Sequence, residues 1–412
     1  MSTDNTSVVL RAVEDIAFEP RPVPEVGPTE VLVEVKKTGI CGSDVHYLVH
    51  GRIGDFVVNS PMVLGHESSG IVSKGRFRRP RKIKGFTNKF RPVGSKVKHL
   101  KVGTRVALEP GATCRVCDDC KAGRYEVRPP LSVPLRVRQP DSVQLCPDIV
   151  FAATPPYDGT LGRYYKLPAD LAYPLPDHLT YEDGAMMEPL SVGVHSVYNI
   201  GKIRANQRVA VFGAGPVGLL CMAVAKACGA SRVIAVDIVQ ARLDFAKGYA
   251  ATDVFAPPKM QEGETKIAYS RRASAELSAA LGVEERGPNA IDLVIEATGA
   301  EVCIQMAVFL AKIGGTVVQV GMGSAEAVIP ITLALVKELN FKGSFRYVPG
   351  DYPAAIALVA SGKLDLKPLV THRFAFKDAI KAFDVNRKGK SDDGKGVIKA
   401  IISGPDVDTE SL

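Results

Sequence analysis

Residues 207–237, QRVAVFGAGPVGLLCMAVAKACGASRVIAVD, decide the fold. An apolar, β-branched run leads into a glycine turn, an apolar-faced helix follows, and a second apolar run ends on an acid. Gly213, Gly215 and Gly218 have the G-x-G-x-x-G spacing, with Pro216 and Val217 between the last two, and Asp237 stands nineteen residues beyond Gly218. The first glycine permits a tight turn, the second lets backbone approach a pyrophosphate, and the third lets helix pack on strand. The helix N-terminus adds unpaired N–H groups and the positive end of a dipole. Asp237 is placed to accept from ribose hydroxyls and would repel a 2′-phosphate, so the expected coenzyme is NAD rather than NADP. Arg242, five residues on, is expected over the adenine side.

Outward from this core the same rhythm continues. AIDLVIEATG (290–299) and GGTVVQVGMG (314–323) read as buried strands, separated by the helical pattern AEVCIQMAVFLAKI (300–313). Alternating strands and helices predict a doubly wound parallel sheet. A nicotinamide ring would lie at the carboxyl ends of its strands, near Val320 and Gly321.

The N-terminal part has a different character. Its runs are short and punctuated by Gly and Pro, as in TEVLVEVKKTGICGSDVHY (29–47) and PMVLGHESSGIVSK (61–74), which predicts an antiparallel β domain. Cys41, His66 and Glu67 are ligand-type side chains in two of its peptides, and Glu188 follows in MMEPLSVGVHSV (186–197). Three protein ligands and an open position are the pattern of a catalytic zinc site.

Composition narrows the class. A chain of 412 residues with 46% hydrophobic content buries a large core and predicts two domains. The first twenty residues contain no apolar signal core, no stretch has transmembrane length, and clustered cysteines fit metal binding in a reducing compartment better than disulfides. The expectation is a cytoplasmic protein without a membrane partner. The net charge of +8 is local: residues 75–92 hold eight Lys/Arg and no acid, and residues 127–144 hold three Arg and one Asp, leaving −2 elsewhere. A basic run of this kind invites a nucleic-acid reading, which nothing else in the chain supports.

The peptides GICGSDVHY (39–47), HGRIGDF (50–56), GHE (65–67), AATPPYDGTL (152–161), MEPLSVGVHSV (187–197), FGAGPVGLL (212–220) and GSFRY (343–347) resemble the zinc-dependent medium-chain dehydrogenases of the polyol branch, and within it the fungal xylitol dehydrogenases. The resemblance spans nearly the whole chain apart from 75–92 and 127–144. It implies an α/β protein with a GroES-like β-rich catalytic domain over 1–191, a Rossmann coenzyme domain over 192–342, and a return to the catalytic domain over 343–412, with the active site in a cleft. It implies a catalytic zinc on Cys41, His66 and Glu67, with Glu188 a direct or water-mediated ligand. Ser43 and His46 would relay the substrate proton, and Tyr47, Arg346 and Tyr347 would line a polyol pocket. The implied reaction is NAD-dependent interconversion of xylitol and D-xylulose at C2, with sorbitol and L-arabinitol as alternative substrates, in a homo-oligomer, commonly a tetramer.

The resemblance also explains an oddity. Cys114, Cys117 and Cys120 are followed by Cys146 only after 25 residues, where the family's structural zinc lobe has seven. Removing 127–144 restores that interval, and removing 75–92 joins GIVSK to VGSKVKHLKVG; both segments have eighteen residues. The reading is of two foreign insertions, translated introns in frame, with genuine surface loops as the alternative. If the insertions block the site, an inactive isoform with a polyanion-binding basic arm results. Lengthening the lobe's loop costs only about 1 kcal/mol of closure entropy. Structural zinc contributes roughly ten times that, so the four-cysteine site is expected to persist.

Overall fold

The computed structural model describes residues 5–74, 91–123 and 146–407. Apart from Arg91 and Pro92, both candidate insertions lie outside the described residues. The chain divides into two compact units, one of residues 1–188 with 365–412 and the other of residues 189–364.

The first unit is β-rich. Its main sheet runs in the order Ala172–Pro174, Arg105–Leu108, Glu67–Val72, Glu30–Gly39, Lys399–Ser403 and Val370–Phe374, with Tyr164–Pro168 also paired to Glu30–Gly39. All pairings are antiparallel except the last pair in the order, Lys399–Ser403 with Val370–Phe374. Val31 and Val33 alternate toward one face and pack with Val72, Val106, Leu108 and Leu167, as a period of two requires. A smaller sheet of Asn5–Ala12, Asp15–Arg21 and Met62–Val63 joins a second cluster around Leu10, Leu64, Phe383 and Ile402.

The boundaries of the basic segment meet at one residue. Ser73 N–H donates to the Leu32 carbonyl at 2.9 Å, and Leu32 N–H donates to the Pro92 carbonyl at 2.8 Å. Val93 then bridges Val31. Ser73, just past the end of strand Glu67–Val72, and Pro92 therefore both stand beside Leu32.

The second unit is a six-stranded parallel sheet in the order Asp253–Phe255, Arg232–Val236, Arg208–Phe212, Ile291–Glu296, Ala311–Gln319 and Asn340–Gly343. This is the doubly wound order of dinucleotide-binding folds, whose crevice opens where the winding reverses, beyond Arg208–Phe212. Ala210, Phe212, Ile234, Val236, Leu277, Val294 and Ala307 form its core. The unit spans 189–364 where 192–342 was expected, and within it helix Glu301–Leu310 stops three residues early, so that strand Ala311–Gln319 begins at Ala311. Ala311 is already paired with Ile291, and a register shift then absorbs the Gly314–Gly315 step. No described helix is long and apolar enough to cross a membrane.

Candidate functional site

Among the described residues of the first unit, two ligand-bearing constellations form. The short helix Gly42–His50 begins at Cys41, whose N–H donates to Asp44 Oδ2 at 3.1 Å. Asp44 Oδ1 accepts from Gly65 N–H at 3.0 Å, which fixes the turn that delivers His66 and Glu67. One ligand atom each from Cys41, His66 and Glu67 then lies within 4.8 Å of the others. Glu188 is buried on helix Met187–Val194 and stands outside that set.

The supporting contacts test whether a cation fits. His66 Nδ1 faces Asp44 Oδ1 at 3.5 Å, an ion-pair contact longer than a hydrogen bond. A carboxylate behind a ligating imidazole is the usual orienting partner. Burial opposes charge on the Asp44 carboxyl, yet His66 and the Gly65 and Cys41 N–H groups hold it low. Burial likewise lowers His66, but Asp44 and Cys41 outweigh it and hold the imidazole well above its ordinary value. The pocket thus attracts positive charge, and a proton on His66 and a divalent ion are alternative ways to supply it. One thiol, one imidazole and one carboxylate are a donor set that suits zinc.

Two residues that sequence reasoning missed shape this group. Lys399 Nζ donates to both Glu67 oxygens at 2.7 Å and to the Ile40 carbonyl at 3.2 Å, almost closed to water. Burial works against its charge, and Glu67, Cys41 and Glu188 outweigh it to hold the ammonium above its ordinary value. The signal was a lone lysine inside the apolar run VIKAII (397–402). Gly39, paired with Glu67 across the strands, leaves space for the carboxylate: a Cβ there would stand 2.2 Å from Glu67 Oε2.

On the same helix Ser43 lies in the first turn, while His46 is exposed and its ring packs 4.5 Å from that of His50. Slight burial and the neighbouring His50 lower its imidazole. Tyr47 is buried.

The second constellation holds Cys114, Cys117, Cys120 and Cys146 within 4.8 Å, all as free thiols. Cys114 and Cys120 sulfurs are 3.8 Å apart. That matches the edge of a tetrahedron with Zn–S bonds of about 2.3 Å. Backbone N–H groups of Cys114, Cys117 and Cys120 donate to the sulfurs of Cys146, Cys114 and Cys117 at 3.2, 3.3 and 3.4 Å. Donors from Val116 and Cys117 lower the Cys114 thiol to about 7, while burial raises Cys146 to about 12.

The second unit carries the coenzyme candidates. Gly213 has φ 92°, and helix Pro216–Ala227 starts from Gly215 with Pro216 at its first position. A Cβ on Gly218 would meet the Gly213 carbonyl oxygen at 1.8 Å, so only glycine permits this approach of helix to turn. Nothing lies within 4 Å of a Cβ on Gly215, which leaves a cradle beside Val217 and the helix N-terminus. Asp237 Oδ2 accepts from Ala214 N–H at 2.8 Å and Oδ1 from Val239 N–H at 2.9 Å, so the acid also ties the turn to the next strand. Arg242 is partly exposed, 4.0 Å from Asp237. Val320 and Gly321 donate their N–H groups to the Glu296 carbonyl, beside Thr298 and Gly299. Glu296, also unforeseen, is fully buried and accepts from the N–H groups of Thr298 and Gly299 at 2.8 and 2.9 Å. Tyr347 is fully buried, and Arg346 sits at φ 55° with its guanidinium 4.8 Å over the Phe345 ring.

Residues 27–177 match the alcohol dehydrogenase GroES-like domain, and residues 216–361 match the zinc-binding dehydrogenase family. D-xylulose reductase A of Aspergillus niger is 48% identical over 412 residues, covering 98% of this chain and 100% of the relative. An Escherichia coli oxidoreductase/dehydrogenase of unknown specificity is 29% identical with TM-score 0.77, covering 98% of this chain and 99% of that one. The 2R,3R-butanediol dehydrogenase of Bacillus subtilis is 27% identical with TM-score 0.74, covering 97% and 99%. With one catalytic-type and one four-cysteine metal group in a GroES-like unit, and a glycine-turn coenzyme sheet, the chain belongs to the zinc-type medium-chain dehydrogenases, closely related to the fungal D-xylulose reductases.

Proposed function

We propose that this protein interconverts xylitol and D-xylulose with NAD as coenzyme. The observation that carries the reading is the Cys41–His66–Glu67 group in the same chain as an Asp237-closed glycine turn; the likeness to D-xylulose reductase A supports the choice of substrate. Bound to Cys41, His66 and Glu67, zinc supplies the Lewis acidity that eases loss of a hydroxyl proton, and NAD in the glycine cradle supplies the hydride acceptor.

The chain's own residues do the rest. Cys41 is set by the start of its helix, and Asp44 orients both the helix and the His66 turn. Glu188, close enough to act on Lys399, adds a second acid to the site, directly or through water. Ser43 takes the substrate proton and passes it to His46, whose exposure and lowered basicity suit release to solvent. Tyr47, Arg346 and Tyr347 bind the polyol's remaining hydroxyls; the Arg346 fork donates several parallel hydrogen bonds, which a hydroxyl-rich substrate can accept. Asp237 selects the free 2′-hydroxyl of NAD. Cys114, Cys117, Cys120 and Cys146 hold a structural zinc that closes their lobe. The active species is a homo-oligomer, a reading that the exposed Ile331, Leu335 and Val336 on one short helix support.

The test is NADH formation by the purified 412-residue chain from xylitol, sorbitol and L-arabinitol, with NAD and NADP in parallel. The expected result is the highest kcat/KM for xylitol with NAD. A higher value for either other polyol, or for NADP, would overturn the corresponding part.

A further inference from the structure

The loop 344–351 of the second unit is fastened at both ends to a single irregular helix. His195–Ile200 is a π-helix, a wound-out turn that proteins keep mainly at functional sites. At the start of the loop, Ser196 Oγ, itself donating to Val192 carbonyl at 2.7 Å, lies 3.0 Å from Ser344 Oγ. At its end, Asp351 Oδ2 accepts from His195 Nδ1 at 3.1 Å and from Val348 N–H at 2.8 Å, and Asp351 Oδ1 accepts from Asn199 Nδ2. His195 and Asp351 are 5% and 2% exposed, so these contacts are shielded from water. The sequence between holds Arg346 in the left-handed region at φ 55°, which a residue with a side chain occupies only where its surroundings impose it. Buried Tyr347 packs edge-on against Tyr352, 5.4 Å away, on the helix that Asp351 begins.

We infer that the π-helix is a clamp, and that His195, Asn199 and Asp351 are positioning residues that set the backbone of Arg346 and Tyr347 for polyol recognition. This rests on the reading of Arg346 and Tyr347 as substrate-binding. The chemistry is indirect: the carboxylate gathers three donors, two from the clamp and one from the loop, and thereby fixes a conformation the loop would not hold alone. A loosened loop misplaces the guanidinium fork, which weakens binding of the polyol and leaves the glycine turn and the metal ligands untouched.

The experiment compares His195→Leu, His195→Asn, Asn199→Ala and Arg346→Ala with the unaltered holoenzyme. His195→Asn restores a donor near the position of Nδ1 and serves as the rescue; Asn199→Ala keeps the test alive if His195→Leu does not fold. Expected for His195→Leu and Asn199→Ala is a rise of about tenfold or more in KM for xylitol, with KM for NAD, the NADH dissociation constant and zinc content unchanged. Hydrogen exchange of a peptide spanning 344–352 should be faster in both, and His195→Asn should show most of the KM and exchange behaviour that His195→Leu loses. Unchanged exchange or unchanged KM for xylitol in folded variants overturns the clamp. If Arg346→Ala also leaves that KM unchanged, the substrate reading has failed and the clamp's role in recognition falls with it; if only Arg346→Ala raises it, the reading stands and the clamp alone is wrong.

Discussion

At Lys399 a single ammonium meets both oxygens of Glu67 at 2.7 Å, among residues almost closed to water. Removing one partner of a buried pair leaves the other charge uncompensated, which costs roughly 3–5 kcal/mol. Lys399→Met should therefore lose about that much stability in metal-free protein and clearly less when zinc is bound, because the ion takes over the neutralisation. Urea unfolding of both forms measures it; equal losses with and without zinc would contradict the shared-charge account. The glycine turn offers a sharper contrast. A Cβ at Gly218 would stand 1.8 Å from the Gly213 carbonyl, whereas Gly215 opens on space. Gly218→Ala should destabilise by about 1–3 kcal/mol. Gly215→Ala should melt like the parent yet bind NADH about tenfold more weakly, since its methyl occupies the phosphate approach. Thermal melts and fluorescence titration separate the two, and a shared phenotype would refute the distinction. The glycines and Asp237 were legible as a local pattern, and the Cys–His–Glu set through the resemblance of its two peptides to the polyol dehydrogenases. Lys399 and Gly39 were not, since each acquires meaning only from a residue far along the chain, Glu67, placed against it by strand pairing.

The outer strand Asp253–Phe255 of the coenzyme sheet is held to its neighbour by Arg232, which donates to Asp253 at 2.9 Å and to the Leu281 carbonyl at 2.8 Å. The Arg232 hydrogen bond holds the Asp253 carboxyl below its ordinary value, with Thr252 adding to it against partial burial. A carboxylate depressed in the folded state contributes stability that is complete above the unfolded value of about 3.9 and is lost as pH falls through the folded one. Asp253→Asn should thus cost about 1 kcal/mol or less at neutral pH, since solvent screens the pair. The difference from the parent should shrink toward zero below about pH 3.9. Denaturant titrations at several pH values check this, and a difference that grows in acid would reverse the assignment. Element type was readable from apolar periodicity throughout this unit. The early end of helix Glu301–Leu310 was not, because pairing of Ala311 with Ile291 overrides local helix propensity. Nor was the π-turn at His195–Ile200, whose extra residue is stabilised by side chains that bond to a distant loop.

For the whole molecule the segments 75–92 and 127–144 pose the main question of expression and activity. Leu32 bonds to both Ser73 and Pro92, so a chain lacking 75–92 joins Lys74 to Val93 at a point the sheet already brings together. Cys146 sits with Cys114, Cys117 and Cys120 although 25 residues separate it from Cys120. A chain without 75–92 and 127–144 should therefore fold, carry two zinc ions per chain and bind NADH as the full chain does. Metal analysis and turnover of xylitol by both forms measure this. Comparable rates mean tolerated loops; activity confined to the shorter chain means that the inserts obstruct the enzyme; loss of zinc from the shorter chain would refute the closure argument. The sequence alone determined the parallel coenzyme sheet, through periodicity and glycine spacing within short windows, and its peptides' resemblance to the polyol dehydrogenases pointed to Cys41, His66 and Glu67 as one group. Only the tertiary structure decided which carboxylate carries a lysine, which acid stands outside the ligand group, and which helix holds the Arg346 loop. Those facts are distances between segments remote in sequence, and burial fixes what each contact is worth.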